Sequence, residues 1–163
     1  MDKIPNTPNP IEDLKKLIEK IRPTTKKVYI SGPITGLPNL NKDAFYETDR
    51  ILTQIGYQPI NPFDLIPESD QTTKSWEYFM KVDIKYLMDA GLVIMLPGWM
   101  NSDGALCEFF TAKLLKIPVI SSYNDIITVQ NSDLPVMNAL FSKLLSKIVK
   151  NDIENMNEML KTT

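Results

Sequence analysis

The chain contains no histidine. Catalysis through Ser-His-Asp or Cys-His pairs is thereby excluded, and so are metal sites built on imidazole. The one cysteine, Cys107, can form neither an intramolecular disulfide nor a zinc cluster, and it fits a reducing compartment. No apolar run approaches the roughly 20 residues of a membrane span, so no membrane partner is expected. There is no basic stripe and the net charge is -2, which leaves no electrostatic case for a nucleic-acid polymer. The opening MDKIPNTPNP lacks an apolar core behind basic residues, unlike a secretory signal. A cytoplasmic protein is expected. Any chemistry must come from carboxylates, hydroxyls, lysines or a bound group, and neither metal nor cofactor is expected.

The remaining composition is that of a globular domain. The chain has 163 residues, 43% of them apolar and 23% charged, enough for one proper core and too short for two ordinary ones. Residues 1–26 read as a Pro- and Asn-rich tail followed by a helix, in which Ile11, Leu14, Leu17, Ile18 and Ile21 fall at helical spacing. KVYISG (27–32) reads as a strand. A helix follows, capped by Asn41 or Asp43 and ended by Gly56, with Ala44, Phe45, Ile51 and Leu52 on its face. YQPIN (57–61) reads as an irregular or edge strand because of Pro59. NPFDLIPESDQTTKS reads as a loop, and a helix is expected from about Ser75 to Asp89. LVIML (92–96) has the continuous apolar character of a strand buried on both faces. Leu106, Phe109, Phe110, Leu114 and Leu115 recur at helical spacing, and PVIS (118–121) forms a fourth strand. SYNDIITVQNSD leaves room for one more short strand. Leu134 to Leu160 reads as one or two amphipathic helices.

This alternation predicts an α/β fold with a mostly parallel sheet of four to five strands and helices on both faces. The α/β domain is expected over 27–133. The extension over 134–163 is expected to pack on that domain or on a partner subunit.

Ligands of open α/β sheets bind outside the carboxyl ends of the strands. SGPITGLPN, NPFDLIP, PGWMNSDG and SSYND leave those ends, so they converge in space. SGPITG is neither a Walker loop nor GxGxxG, and it reads either as a tight turn or as a phosphate or sugar contact. Ser31 and Pro33 lie in it, and Gly32 would let a ligand approach the backbone. Ser102 or Asp103 is a natural N-cap for the following helix, whose free N–H groups also suit an anion. Gly104 would leave that approach open. Trp99 reads as a lid, a stacking surface for a base, or loop packing.

Two carboxylates stand out against apolar surroundings. Glu108 shares a helix face with Ala105 and Ala112, which implies close approach to the sheet. It reads either as a solvated boundary residue or as an enclosed functional acid. Asp83 lies on the stripe Phe79–Asp83–Leu87, where aspartate is a poor helix former and costly to bury. The plain alternative is a marginal Asp paired with Lys81 or Lys85. Tyr29, at the centre of the first strand, reads either as a core tyrosine or as the hydroxyl partner of a carboxylate.

Together, VYISGPITG, Asp83 within MKVDIKYLMDAG, LVIMLPGW and SDGALCEFFTA resemble the nucleoside 2-deoxyribosyltransferase superfamily, including its related deoxynucleotide N-glycosidases. The likeness spans about Lys27 to Ser122. It implies a flavodoxin-like, Rossmann-like three-layer sandwich acting at an N-glycosidic bond, with a nucleoside or nucleotide as the small-molecule partner. It further implies that Glu108 is the nucleophile on the anomeric carbon, that Asp83 handles the proton of the base or orients the substrate, and that Tyr29 hydrogen-bonds the nucleophile. Ser102 would contact a 5′-phosphate, or Asp103 a sugar hydroxyl. Relatives are dimers or larger, so a homodimer or higher homo-oligomer is expected. The phosphate-binding branch carries serine and arginine in its first loop, where this chain has Pro33 and Thr35, so the phosphate clamp does not carry over. A non-catalytic nucleotide-binding module and a scaffold that kept the fold are the alternatives.

Overall fold

A computed structural model describes residues 9–121, 127 and 131–161. Its centre is the apolar strand anticipated at 92–96, with one strand on one side and two on the other. In chain order the elements are α1 (Pro10–Ile21), β1 (Lys27–Ser31), α2 (Lys42–Gln54), β2 (Gln58–Ile60), α3 (Pro62–Leu65), α4 (Trp76–Leu87), β3 (Leu92–Met95), α5 (Asp103–Leu114), β4 (Val119–Ser121) and α6 (Leu134–Lys161). The strands form an open sheet in the order β2-β1-β3-β4, and all three pairings are parallel. This is a flavodoxin-like three-layer arrangement.

Strand alternation distributes β1 between the two faces. Val28 and Ile30 join Leu92, Ile94 and Ile120 in a cluster with Leu14 and Ile18 of α1 and Phe45 and Leu52 of α2. Tyr29 and Ser31 point the other way, to α5. Helix α1, expected as an addition to the domain, therefore supplies part of its core. Residues up to Ile127 form one compact unit, and α6 belongs to a second.

Local chemistry explains the element ends. Asn9 caps α1, accepting from the Glu12 N–H, and Ser75 caps α4, accepting from that of Tyr78. Arg22 adopts a left-handed C-cap in place of the usual glycine. Helix α4 is shorter than expected, ending at Leu87. Within the segment read as a loop, Asn61-Pro62 starts a short helix. The Asn61 side chain accepts from the Phe63 N–H, and proline suits the first helical position. Asn41 precedes α2 in a left-handed conformation and makes no side-chain cap. Leu114 and Leu115 share the apolar spacing of α5 but are exposed where the helix ends. The further strand considered within 122–133 and the SSYND loop fall mostly outside the described residues.

Gly91 marks a close approach. A Cβ there would lie 2.7 Å from the Thr25 backbone nitrogen and 2.8 Å from its carbonyl oxygen. Gly104 is different, since its nearest neighbour would be Met80 Sδ at 3.4 Å. Gly91→Ala should therefore lose about 1–3 kcal/mol through overpacking against backbone. Gly104→Ala should match wild type or gain up to about 1 kcal/mol. Denaturant midpoints at constant m-value measure both, and a Gly91→Ala midpoint equal to wild type would contradict the packing described.

Candidate active site

The strand order reverses direction at β1, because the chain moves to one side for β2 and to the other for β3. Segments leaving the carboxyl ends of β1 and β3 separate there and leave a crevice. A cavity of about 260 Å³ occupies it, just below the roughly 300–1,000 Å³ typical of small-ligand pockets. Gly32, Ile34 and Thr35 line it after β1, Pro62, Phe63 and Ile66 after β2, and Ser102, Gly104, Ala105 and Glu108 after β3. Trp76, Phe79, Met80 and Asp83 of α4 close it from the side.

Glu108 sits one turn into α5 and is only 5% exposed, which removes the solvated-boundary reading. Ala105 and Ala112 beside it are fully buried, so the helix rides close to the sheet at that face. The Tyr29 hydroxyl donates to Glu108 Oε1 at 2.7 Å, and the Ser31 hydroxyl donates to Oε2. Both oxygens of the carboxylate are thus held by β1. Asp83, on α4, is 8% exposed and lines the same cavity. Neither Lys81 nor Lys85 pairs with it among the described residues; burial alone raises its carboxyl to about 7. Glu108 is pushed up to about 8, first by burial and then by the charge of Asp83, while hydrogen bonds from Ser31 and Tyr29 act in the opposite direction. The Tyr29 phenol stays neutral, raised by burial and by both carboxylates.

The other anticipated residues divide. Ser102 lines the cavity and also caps α5, accepting from the Ala105 N–H at 3.3 Å. Gly104 lines the cavity, as does Gly32. The need for glycine at 32 has a packing cause, since a Cβ there would meet Leu96 Cβ at 2.8 Å. Ser31 holds Glu108 and is fully buried, so it is no surface for ligand. Pro33 and Asp103 are not in the lining. The Pro33 carbonyl accepts from Asn41 Nδ2 at 2.8 Å and fastens the loop after β1. Trp99 is neither lid nor stacking surface. It is 8% exposed, and its ring packs on Phe109 at 4.5 Å between centroids.

Several cavity residues were not marked as ligand contacts by the sequence, Phe79 being read only as part of the apolar stripe of α4. Trp76, Phe79 and Phe63 provide the aromatic wall that Trp99 does not. Gln71 pins the segment after β2, donating from Nε2 to the carbonyls of Phe63 (3.3 Å) and Ile66 (3.2 Å). Leu40, also in the lining, lies in a left-handed turn with Asn39 and Asn41, at a φ of 54°. Leucine reaches that region only at a cost of about 1–3 kcal/mol. The flanking asparagines, which tolerate it, were the available hint.

Residues 26–121 match the family described as Domain of unknown function (DUF4406). The chain belongs to that family. The matched span begins just before β1 and ends with β4, so it holds every cavity residue and leaves out α1 and α6. No curated protein matches the chain.

The buried acids make stability pH-dependent. Their folded-state pKa values lie above the usual carboxyl values of 3.8 and 4.5. The folded state therefore binds more protons between about pH 4 and 8, and stability falls as pH rises through that window. Replacing Glu108 with the neutral isostere Gln should raise the Tm at pH 9 and give a smaller difference, or none, at pH 5. Thermal unfolding at the two pH values tests this. An equal difference at both would mean that Glu108 is not a raised acid.

Proposed function

We propose that the chain cleaves or transfers at the N-glycosidic bond of a nucleoside or nucleotide, with Glu108 as nucleophile. One observation carries the reading. Two buried carboxyl groups, Glu108 and Asp83, open on one cavity, and both oxygens of Glu108 are oriented by hydroxyls of β1. The likeness of VYISGPITG and SDGALCEFF to the nucleoside 2-deoxyribosyltransferase superfamily points the same way.

The chemistry follows from the charge states. The two acids titrate as a pair and share about one proton between about pH 7 and 8. Asp83 is raised less, so at rest the remaining proton sits on Glu108. The reactive form is the one in which that proton has passed to Asp83, and hydrogen bonds from Tyr29 and Ser31 stabilise the charge on Glu108 in it. The Glu108 carboxylate attacks the anomeric carbon as oxocarbenium character builds there. The C–N bond breaks, its electron pair departs with the base nitrogen, and that nitrogen takes the proton from Asp83. Water or a second base then attacks the glycosyl ester and gives its proton to Asp83, and Glu108 is released as carboxylate. Trp76, Phe79 and Phe63 supply flat apolar surface for the base. No lysine or arginine lines the cavity among the described residues, so recognition rests on the base and sugar.

A second reading, binding without turnover, rests on the same raised acids, because a protonated Glu108 is a hydrogen-bonding group rather than a nucleophile. One assay separates the two. The protein is incubated with a panel of nucleosides and monophosphates, with and without an acceptor base. The proposal expects free or exchanged base, no turnover with Glu108→Ala, and about 10²–10⁴-fold less with Asp83→Asn. Turnover should follow a bell. It falls below about pH 7 as both acids protonate and above about pH 8 as both ionise. Asp83→Asn should lose the alkaline limb. A ligand that raises the Tm with no base released would favour binding alone, and turnover unaffected by Glu108→Ala would refute the mechanism.

A further inference from the structure

Helix α6 runs for 28 residues without burying one of them, a length of about 42 Å. Five of its apolar residues, Leu145, Ile148, Val149, Ile153 and Met156, are between 44% and 57% exposed. At about 100° per residue they fall within a stripe about 140° wide. An apolar stripe of that width on a helix is the signature of a face that packs. No described helix is long and apolar enough to cross a membrane, and α6 carries charges along its other side.

Four of the five stripe residues are arranged symmetrically, while the fifth, Val149, mirrors Asp152. Leu145 and Met156 are equidistant from the midpoint between Lys150 and Asn151, and so are Ile148 and Ile153. The charges share that midpoint: Lys147 mirrors Glu154 and Lys143 mirrors Glu158. The helix thus carries Lys143, Lys147 and Lys150 before its middle and Asp152, Glu154 and Glu158 after it, with Lys161 at its end and Lys150 bridged to Glu154 at 3.8 Å. We propose that α6 pairs antiparallel with α6 of a second copy of this chain, about a two-fold axis at that midpoint.

Direction follows from three features. Antiparallel pairing sets the basic half of each helix beside the acidic half of the other, whereas parallel pairing sets like beside like. Apart from Asp152, these charges lie on the side away from the stripe, so they act through the summed field rather than by contact. Opposed macrodipoles add to the same preference. Asp152, the one charged residue on the stripe, weighs against parallel pairing. Parallel, in-register pairing would press it against its own copy in an apolar seam. Antiparallel pairing places it opposite Val149 of the second copy and separates the two carboxylates along the axis.

The test uses the full chain. Size exclusion with light scattering should give twice the 18.6 kDa chain mass, and Ile148→Glu, at an exposed position, should give one chain mass with an unchanged circular dichroism spectrum. Direction is read with Cys107→Ser chains carrying either Leu145→Cys or Met156→Cys. Mixed and oxidised, they should form the 145–156 disulfide. Alone, neither should crosslink, since like positions then lie about 16 Å apart along the axis. A wild-type mass of one chain overturns the proposal, whether α6 then docks on its own chain or on a different protein. Self-crosslinking of each variant without the mixed product overturns the antiparallel direction.

Discussion

The two hydrogen bonds from β1 to Glu108 set the geometry on which the site depends. A carboxyl group this deeply buried needs hydrogen-bond partners, and it finds them in Tyr29 and Ser31, two residues apart on one strand face, although burial still raises it to about 8. Meeting both at once fixes the rotation of α5 about its axis and its position along the sheet. Ala105 and Ala112 then face the strands and let the helix approach. The same placement brings the capped N-terminus of α5 to the carboxyl edge of the sheet, so that Ser102 and Gly104 border the cavity.

The opposite wall is held by weaker means. Asn61 starts α3, and the Gln71 amide ties Phe63 and Ile66 into place. These are neutral hydrogen bonds to backbone, each contributing about 0.5–1.5 kcal/mol. The cavity therefore has a rigid acidic side, anchored on the sheet, and an apolar side held by a few contacts. Asp83 stands between them on α4, close enough for its charge to raise Glu108.

The sequence carried the sheet and the acids because both leave periodic signals. Parallel strands buried on both faces read as apolar runs, and LVIML sits where such a run must, between β1 and β4. Glu108 and Asp83 were visible as charges on apolar helix stripes, and Tyr29 by strand alternation. The wall after β2 had no such signal. A loop residue's direction is set by tertiary contacts, not by a period, so Phe63, Gln71 and Trp76 carry no mark in the sequence, and the three readings open for Trp99 resolve to loop packing. Trp99 follows Gly98, whose left-handed φ of 81° turns the chain and delivers the indole to Phe109 instead of the cavity. The left-handed Leu40 was likewise unforeseeable from residue type, since leucine avoids that region. The third helix was missed because Asn-Pro signals a loop and a helix start equally well.

The central claim, that Glu108 forms a bond to the anomeric carbon, is tested most directly by trapping that bond. A 2′-deoxy-2′-fluoroarabinosyl nucleoside slows the breakdown of a glycosyl ester by disfavouring the oxocarbenium-like transition state. Intact-protein mass spectrometry after incubation should show the mass of one fluorinated sugar per chain. Peptide mapping should locate it on the segment bearing Glu108, with none on Glu108→Gln. An adduct that persists on Glu108→Gln, or base release from the natural nucleoside with no adduct from the fluorinated one, would contradict the account.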